Sequence, residues 1–159
     1  MASQHLVANR ILRQLPPDEL KTIEPWLSPI RLEPNVVLLE PGGEIDQVYF
    51  PLSGMVSLLS VMHSGEAVET GIVGADGVVG GDAPINGHVF GQSTVQIAGD
   101  AVMLPKARFV DAYHAHPRLR NLVNRYQSVL RRKHSRMPLA TRSIPFVAAF
   151  ADGCCNRKT

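Results

Sequence analysis

The hydrophobic positions change their spacing twice along the chain. Residues 4–14 (QHLVANRILRQ) predict a helix with one apolar face, formed by Leu6, Val7, Ile11 and Leu12. The L-P-P-D-E-L that follows suits the start of a second helix. From Ile30 to Leu104, short β-rich runs alternate with Pro-Gly and Ser-Gly turns at a spacing of about ten residues. The pattern predicts two short helices followed by a sandwich, jelly roll or barrel.

Two further helices are predicted after the strands, each with a proline at its start. Pro105 precedes KARFVDAYHAH and Pro117 precedes RLRNLVNRYQSVLRR, and the backbone angle of proline is already helical. The second helix carries an apolar stripe at helical spacing, made of Leu119, Leu122, Val123, Tyr126, Val129 and Leu130. Such a stripe suits pairing with a second copy of the helix, so a homodimer is expected. The alternative is that the stripe packs on the barrel of its own chain.

Charge is distributed unevenly along the chain. The 159 residues are 45% hydrophobic, which is enough for one domain with a core and an appendage. Residues 131–159 contain seven Lys or Arg and one acid, so the first 130 residues carry −4 although the whole chain carries +2. Because a mildly acidic body does not attract a phosphate backbone, charge gives little support for nucleic-acid binding.

Neither the N-terminus nor the cysteines indicate export, a membrane or a metal. The first residues mix polar and charged side chains into an apolar periodicity, and no apolar run approaches the roughly 20 residues of a spanning helix. We therefore expect a cytoplasmic protein without membrane contact. Cys154 and Cys155 are adjacent, which disfavours a disulfide between them and leaves no ligand pair for zinc.

Four segments, in this order, resemble the effector domain of the Crp/Fnr transcription regulators. They are EPGGEIDQVYFPLSGMVSLLS, GEAVETGIVGADGVVG, STVQIAGDAVMLP and NRYQSVL, and the resemblance covers residues 5–130. It implies a mainly β fold: a double-stranded β-helix (jelly-roll) barrel of the cyclic-nucleotide-binding-like type, with N-terminal helices and a long C-terminal dimerisation helix. The expected division is 1–116 for the barrel with its N-terminal helices, 117–133 for the dimerisation helix, and 134–159 for a basic tail unlike the family.

The resemblance also locates a ligand cassette. In that family, helix N-terminal amides hold the cyclic phosphate, a Glu binds the ribose hydroxyl and an Arg pairs with the phosphate. Aligning V-V-G-G and Q-S-T-V with this cassette puts Gly81 at the Glu position and Gly91 at the Arg position. Both charged ligands are then missing and Asp82 adds a carboxylate, which argues against cyclic AMP and cyclic GMP. The residues left to bind a ligand are Gly80, Gly81, Asp82, Gly91, Gln92, Ser93 and Thr94.

The function implied by the resemblance is the sensor or effector module of a transcription regulator, and not an enzyme. One alternative is a barrel that binds a ligand other than a cyclic nucleotide, or that serves only for dimerisation. Another is a cupin-like metalloenzyme, suggested by His114 and His116. Residues two apart on a helix diverge, however, so no metal is expected. His63 and His88 fall in turn-like stretches, and the glycines at every third position indicate turns and close backbone approaches: Gly71, Gly74, Gly77 and Gly80.

The residues after Leu130 contain no helix-turn-helix pattern. In that family the long helix leads into a winged helix-turn-helix that reads the major groove. If the tail is read from the third base of the Arg131 codon, allowed codons spell QKAQQNAACNALHSV and then RRLCRWLLQSQD, which resembles the family's continuation. Our hypothesis is that a one-base shift near codon 131 produced the tail, which is then out of frame or disordered; codons that forbid the second text would contradict it. DNA binding is expected for full-length relatives and not for this truncated chain alone.

Overall fold

The computed structural model describes residues 6–62, 64–87, 89, 91–136 and 143–144, and for 133–136 and 143–144 the backbone alone. His63, His88, Cys154 and Cys155 therefore lie outside the described residues. So does most of the predicted tail, 134–159. Within the described residues, no helix has both the length and the apolar character needed to cross a membrane.

The N-terminal helices are α1 (Arg10–Arg13) and α2 (Pro17–Ile23), followed by a 3₁₀ turn at Glu24–Trp26. Asn9 caps α1, because its side-chain oxygen accepts hydrogen bonds from the amides of Ile11 and Leu12. Its side-chain amide also donates to the carbonyl oxygens of Pro51 and Gly77, so a fully buried polar group is satisfied on both sides.

One side chain of the predicted apolar face points elsewhere. Leu6, Ile11 and Leu12 are buried, but Val7 is 47% exposed. The prediction for Val7 was wrong because the chain turns between Leu6 and the Asn9 cap, so a single helical period does not run through this segment.

The described strands form two antiparallel sheets. A three-stranded sheet has the order β1-β7-β3 and a five-stranded sheet has the order β2-β6-β4-β5-β8. The strands are β1 (Ser28–Leu32), β2 (Val37–Leu39), β3 (Gln47–Pro51), β4 (Met55–Val61), β5 (Ala67–Val73), β6 (Gln92–Ile97), β7 (Gly99–Pro105) and β8 (Ser143–Ile144). Strands distant in sequence pair in both sheets, as β1 does with β7 and β2 with β6. This is the mainly β jelly-roll fold that the sequence predicts.

The core lies between the two sheets and continues under α3 (Lys106–Ala115). Val48 and Phe50 alternate inward on β3, and the Phe50 ring meets Phe109 of α3 edge-on at a centroid distance of 6.2 Å. Both phenylalanines are fully buried. Replacing either with Ala costs about 3–5 kcal/mol of folding free energy, so this contact fixes α3 on the barrel.

The long helix α4 (Pro117–Arg136) is separated from α3 by His116 alone and has Pro117 at its first position, as predicted. Its apolar stripe is divided between two environments. Leu119, Leu122 and Val123 are buried within their own chain, whereas Val129 is 50% exposed. The alternative in which the stripe packs on its own barrel therefore describes the first half of the helix. Pairing with a second copy stays a prediction. Val129 is the most exposed residue of the stripe, and Tyr126 and Leu130 are half-buried.

Candidate functional site

A cavity of about 620 Å³ lies between the five-stranded sheet, the turn that follows Gly80 and helix α4. Its volume is in the range of small-molecule sites. The apolar part of its wall consists of Leu39, Ile45, Leu58, Leu59, Val78, Val79, Ile85, Val89 and Leu130. The polar part consists of Ser60, Thr70, Asp82, Asn86, Gln92, Ser93, Gln127 and Arg131.

Most of the sequence-predicted cassette reaches this cavity. Its wall includes the predicted residues Gly80, Asp82, Gly91, Gln92 and Ser93. The other two predicted residues, Gly81 and Thr94, do not line the cavity but contact residues that do. Gly81 is buried against Gln127, and the Thr94 hydroxyl accepts a hydrogen bond from Nε2 of Gln92 at 3.0 Å.

The turn after Gly80 is closed by its own backbone. Gly80 has φ +83°, a conformation that favours glycine. The amide of Ala83 donates to the Gly80 carbonyl, and the amides of Ile85 and Asn86 donate to the Asp82 carbonyl, at 2.9–3.1 Å. The predicted ligand residues Gly80, Gly81 and Asp82 therefore belong to a tight turn in which these three amides already have partners.

Gly91 has no room for a side chain, and Gly81 gains room only if the side chain of Gln127 moves. A Cβ added to Gly91 would collide with the carbonyl oxygen of Leu59, which belongs to the backbone of β4. A Cβ added to Gly81 would collide with Nε2 of Gln127 and lie 3.0 Å from Cγ1 of Val78. Both glycines thus allow close packing of neighbouring elements.

Helix α4 lies against a series of glycines. Leu130 approaches Gly71, with 3.2 Å between its Cδ1 and a Cβ added there, and the Tyr126 ring fills the space where a side chain of Gly77 would lie. Burial raises the pKa of Tyr126, and the negative charge of Asp76 raises it further. The glycines expected to mark close backbone approaches therefore include two, Gly71 and Gly77, that accommodate the long helix.

One ion pair joins α4 to the turn at the cavity mouth. Nη2 of Arg131 donates to Oδ1 of Asp82 at 2.9 Å. The Arg131 side chain is 60% exposed and that of Asp82 is 30% exposed, so the pair contributes about 0–1 kcal/mol to stability. Its main effect is that the charges of Asp82 and Arg131 compensate each other.

Three of the residues that shape the site were not singled out in the sequence. Gln127 and Arg131 lie one turn apart on α4, beside the apolar stripe, and this spacing was the available signal. Glu19 of α2 accepts a hydrogen bond from the Leu119 amide at 3.2 Å and so caps the first turn of α4. No sequence pattern connects residues so far apart along the chain.

His114 lies in α3, whereas His116 has an extended backbone between α3 and α4, so the predicted helix ends before His116. Both histidines contact neighbouring side chains. The His114 ring stacks edge-on against Tyr113, with 5.5 Å between the ring centroids. Nε2 of His116 lies 2.7 Å from the Thr22 hydroxyl. Among the residues that the structure describes, no three His, Cys, Asp or Glu side chains come together in a possible metal site. Metal analysis of the purified protein tests the cupin-like alternative directly.

Solved structures of similar fold are regulatory and binding domains. The chain is similar to the sensor domain of the transcriptional regulator DNR from Pseudomonas aeruginosa, with 10% identity, coverage of 88% of this chain and 95% of that one, and a TM-score of 0.64. It is also similar to a cyclic nucleotide-binding domain from Methylobacillus flagellatus, with 16% identity, coverage of 91% of this chain and 88% of that one, and a TM-score of 0.67. A third similar structure is the c-di-GMP responsive global regulator CLP from Xanthomonas campestris, with 13% identity, coverage of 75% of this chain and 61% of that one, and a TM-score of 0.65.

The chain thus spans 61% of the length of the CLP chain. No protein-family model matches it, and no curated protein sequence is significantly similar to it. At identities of 10–16%, the structural similarity establishes the fold. The jelly roll, the helix α4 beside the cavity and these similarities together show that the chain has the cyclic-nucleotide-binding-like fold, which the sensor domains of Crp/Fnr-type regulators share.

Proposed function

We propose that this chain is the sensor module of a Crp/Fnr-type transcription regulator, and that its cavity binds a ligand other than a cyclic nucleotide. The observation that carries the second part is the packing at Gly81 and Gly91. The positions aligned with the family's Glu and Arg are filled by Gln127 and by the Leu59 carbonyl. Loss of a charge-assisted pair costs about 1.5–3 kcal/mol, which is about ten- to a hundredfold in affinity.

The electrostatics of the cavity support the same conclusion. The carboxylate of Asp82 is part of the wall where a cyclic phosphate would bind, and Arg131 is already paired with it. A phosphate that approaches Arg131 has to compete with Asp82. The site therefore offers a nucleotide monoanion no uncompensated positive charge among the described residues of its wall.

The connection between cavity and helix supports the sensor role. Gln127, Leu130 and Arg131 are part of α4 and also of the cavity wall, and Arg131 bonds to the turn on the opposite side. A ligand that prefers one position of α4 will shift the population of that position. In a regulator, such a shift changes the relative orientation of the paired long helices and hence DNA binding by full-length relatives.

Calorimetric titration with cyclic AMP, cyclic GMP and cyclic di-GMP tests the proposal. We expect no heat of binding at millimolar nucleotide. Binding at micromolar concentration would overturn the exclusion of nucleotides. The Asp82→Asn variant serves as a matched sample, because removal of the carboxylate should increase any weak affinity for these anions. An Asp111→Asn variant, changed on an exposed position of α3 outside the cavity wall, controls for net charge.

A further inference from the structure

The charges in the cavity wall are few and mutually compensated. Among the described residues of the wall, Asp82 and Arg131 are the two that carry a full charge, and they bond to each other at 2.9 Å. An anionic ligand near them meets the carboxylate, and a cationic ligand meets the guanidinium. A ligand of either sign therefore has to separate the pair or face a like charge, at a cost that a neutral ligand avoids.

The rest of the wall is apolar or carries neutral polar groups. Nine of its side chains are Leu, Ile or Val. Some of the polar groups already have partners: the Thr70 hydroxyl donates to the Leu58 carbonyl at 3.0 Å, and Nε2 of Gln92 donates to Thr94. A ligand in the cavity is therefore stabilised mainly by burial of its apolar surface and can form only a few hydrogen bonds with the wall.

We infer that the cavity takes an uncharged, largely apolar small molecule, and that Asp82 is the residue that selects against anions. This inference rests on the proposed function, in which the cavity is the ligand site of a sensor. The volume of about 620 Å³ accommodates a molecule of two or three fused or linked rings. Asp82 acts as a specificity-determining residue, because its carboxylate meets an approaching anion before Arg131 is free to pair with it.

Two dyes that differ chiefly by one charge test the inference. N-phenyl-1-naphthylamine is neutral, and 8-anilino-1-naphthalenesulfonate has the same ring system with an added sulfonate. We expect saturable fluorescence enhancement for both, with the neutral dye bound about tenfold more tightly or better. In Asp82→Asn the sulfonated dye should gain affinity, so that the difference between the dyes narrows. In Asp111→Asn the difference should stay.

A variant that fills the cavity shows where the dyes bind. Ser60 lines the cavity on β4 and is partly exposed, so Ser60→Trp occupies cavity volume without entering the core. The neutral dye should lose about tenfold or more in affinity, while circular dichroism of Ser60→Trp matches the parent protein. Because some apolar side chains are exposed elsewhere, including Ile97 and Val129, unchanged binding to Ser60→Trp would place the dye outside the cavity and overturn the inference.

The remaining outcomes separate this inference from the proposed function. Tighter binding of the sulfonated dye than of the neutral dye overturns the inference and leaves a non-nucleotide sensor in place. If neither dye binds saturably, the inference is likewise overturned, and the proposal of a non-nucleotide sensor is unaffected. Displacement of the bound dye by micromolar cyclic AMP instead overturns the proposed function, since it shows that the cavity accepts the nucleotide.

Discussion

Gly81 and Gly91 have the same side chain but different neighbours. Gly91 faces a backbone carbonyl of β4, which is fixed by the sheet, whereas Gly81 faces the amide end of Gln127, which can rotate. We expect Gly91→Ala to lower the free energy of unfolding by about 1–3 kcal/mol and Gly81→Ala to lower it by less. Urea denaturation measures both. Gly74→Ala is the matched control, because a Cβ there makes ordinary contacts at 3.5 Å and beyond. Equal losses at 81 and 91 would contradict this explanation.

The buried phenol of Tyr126 predicts a dependence on alkaline pH. Burial and Asp76 raise the pKa of Tyr126 in the folded protein above the value of about 10 in the unfolded chain. The neutral phenol is therefore favoured by folding, and its contribution is present below pH 10 and is lost as the pH rises above it. Urea denaturation at pH about 9 and about 10.5 should show a larger loss for the parent protein than for Tyr126→Phe. Identical pH profiles would exclude Tyr126 as the cause.

Part of the cavity wall could be located from the sequence, but the packing around its glycines could not. The order of V-V-G-G and Q-S-T-V was sufficient to find residues that the structure places in the cavity wall, such as Gly80 and Ser93. Their role in ligand binding stays a prediction. Gly81 and Gly91 pack closely against α4 and β4, and such contacts leave no mark in the local sequence.

At the scale of elements, α4 depends on a cap from another helix. The first turn of α4 has no acidic residue of its own. The carboxylate of Glu19 in α2 accepts the hydrogen bond from the Leu119 amide instead. We expect Glu19→Ala to lower the free energy of unfolding by about 1 kcal/mol, because an amide at the positive end of the helix loses its acceptor. Asp18→Asn, on the exposed face of α2, should change it by less than about 0.5 kcal/mol. If Glu19→Ala leaves the free energy of unfolding unchanged, water replaces the carboxylate as the acceptor for the Leu119 amide.

The spacing of apolar residues predicted where the helices lie, but not which surfaces they pack against. The prolines correctly marked the starts of α3 and α4, because a fixed backbone angle acts locally. The stripe from Leu119 to Leu130 has the same spacing whether it meets a second helix or a barrel. The pattern therefore identified an apolar face and left its partner open, and the structure assigns Leu119, Leu122 and Val123 to the core of the same chain.

At the scale of the whole molecule, the expected homodimer has to use the outward side of α4. We expect light scattering to show a dimer for the parent protein and a monomer for Val129→Glu, because Val129 is half exposed and apolar. Its circular dichroism spectrum should match that of the parent protein, since the substitution is at an exposed position and leaves the core of the chain unchanged. Leu122→Glu is unsuitable, because Leu122 is buried in its own chain. Arg118→Glu, near the start of α4, is the charge control.

A parent protein that is monomeric at micromolar concentration would contradict the dimer itself. A dimer that persists in Val129→Glu would place the interface away from Val129. Neither result affects the ligand cavity, which is built from the residues of one chain.

The shared space of Gly81 and Gln127 also bears on how such a barrel evolves. Gly81→Glu on its own enters a volume that Gln127 occupies, and any larger residue at 91 meets the Leu59 backbone. Each step toward the family's nucleotide chemistry therefore weakens the fold before it adds affinity, and the substitutions are useful only in combination. Because the amide end of Gln127 can rotate, position 81 is the easier of the two to enlarge, whereas position 91 stays restricted to glycine as long as the Leu59 carbonyl keeps its place in β4.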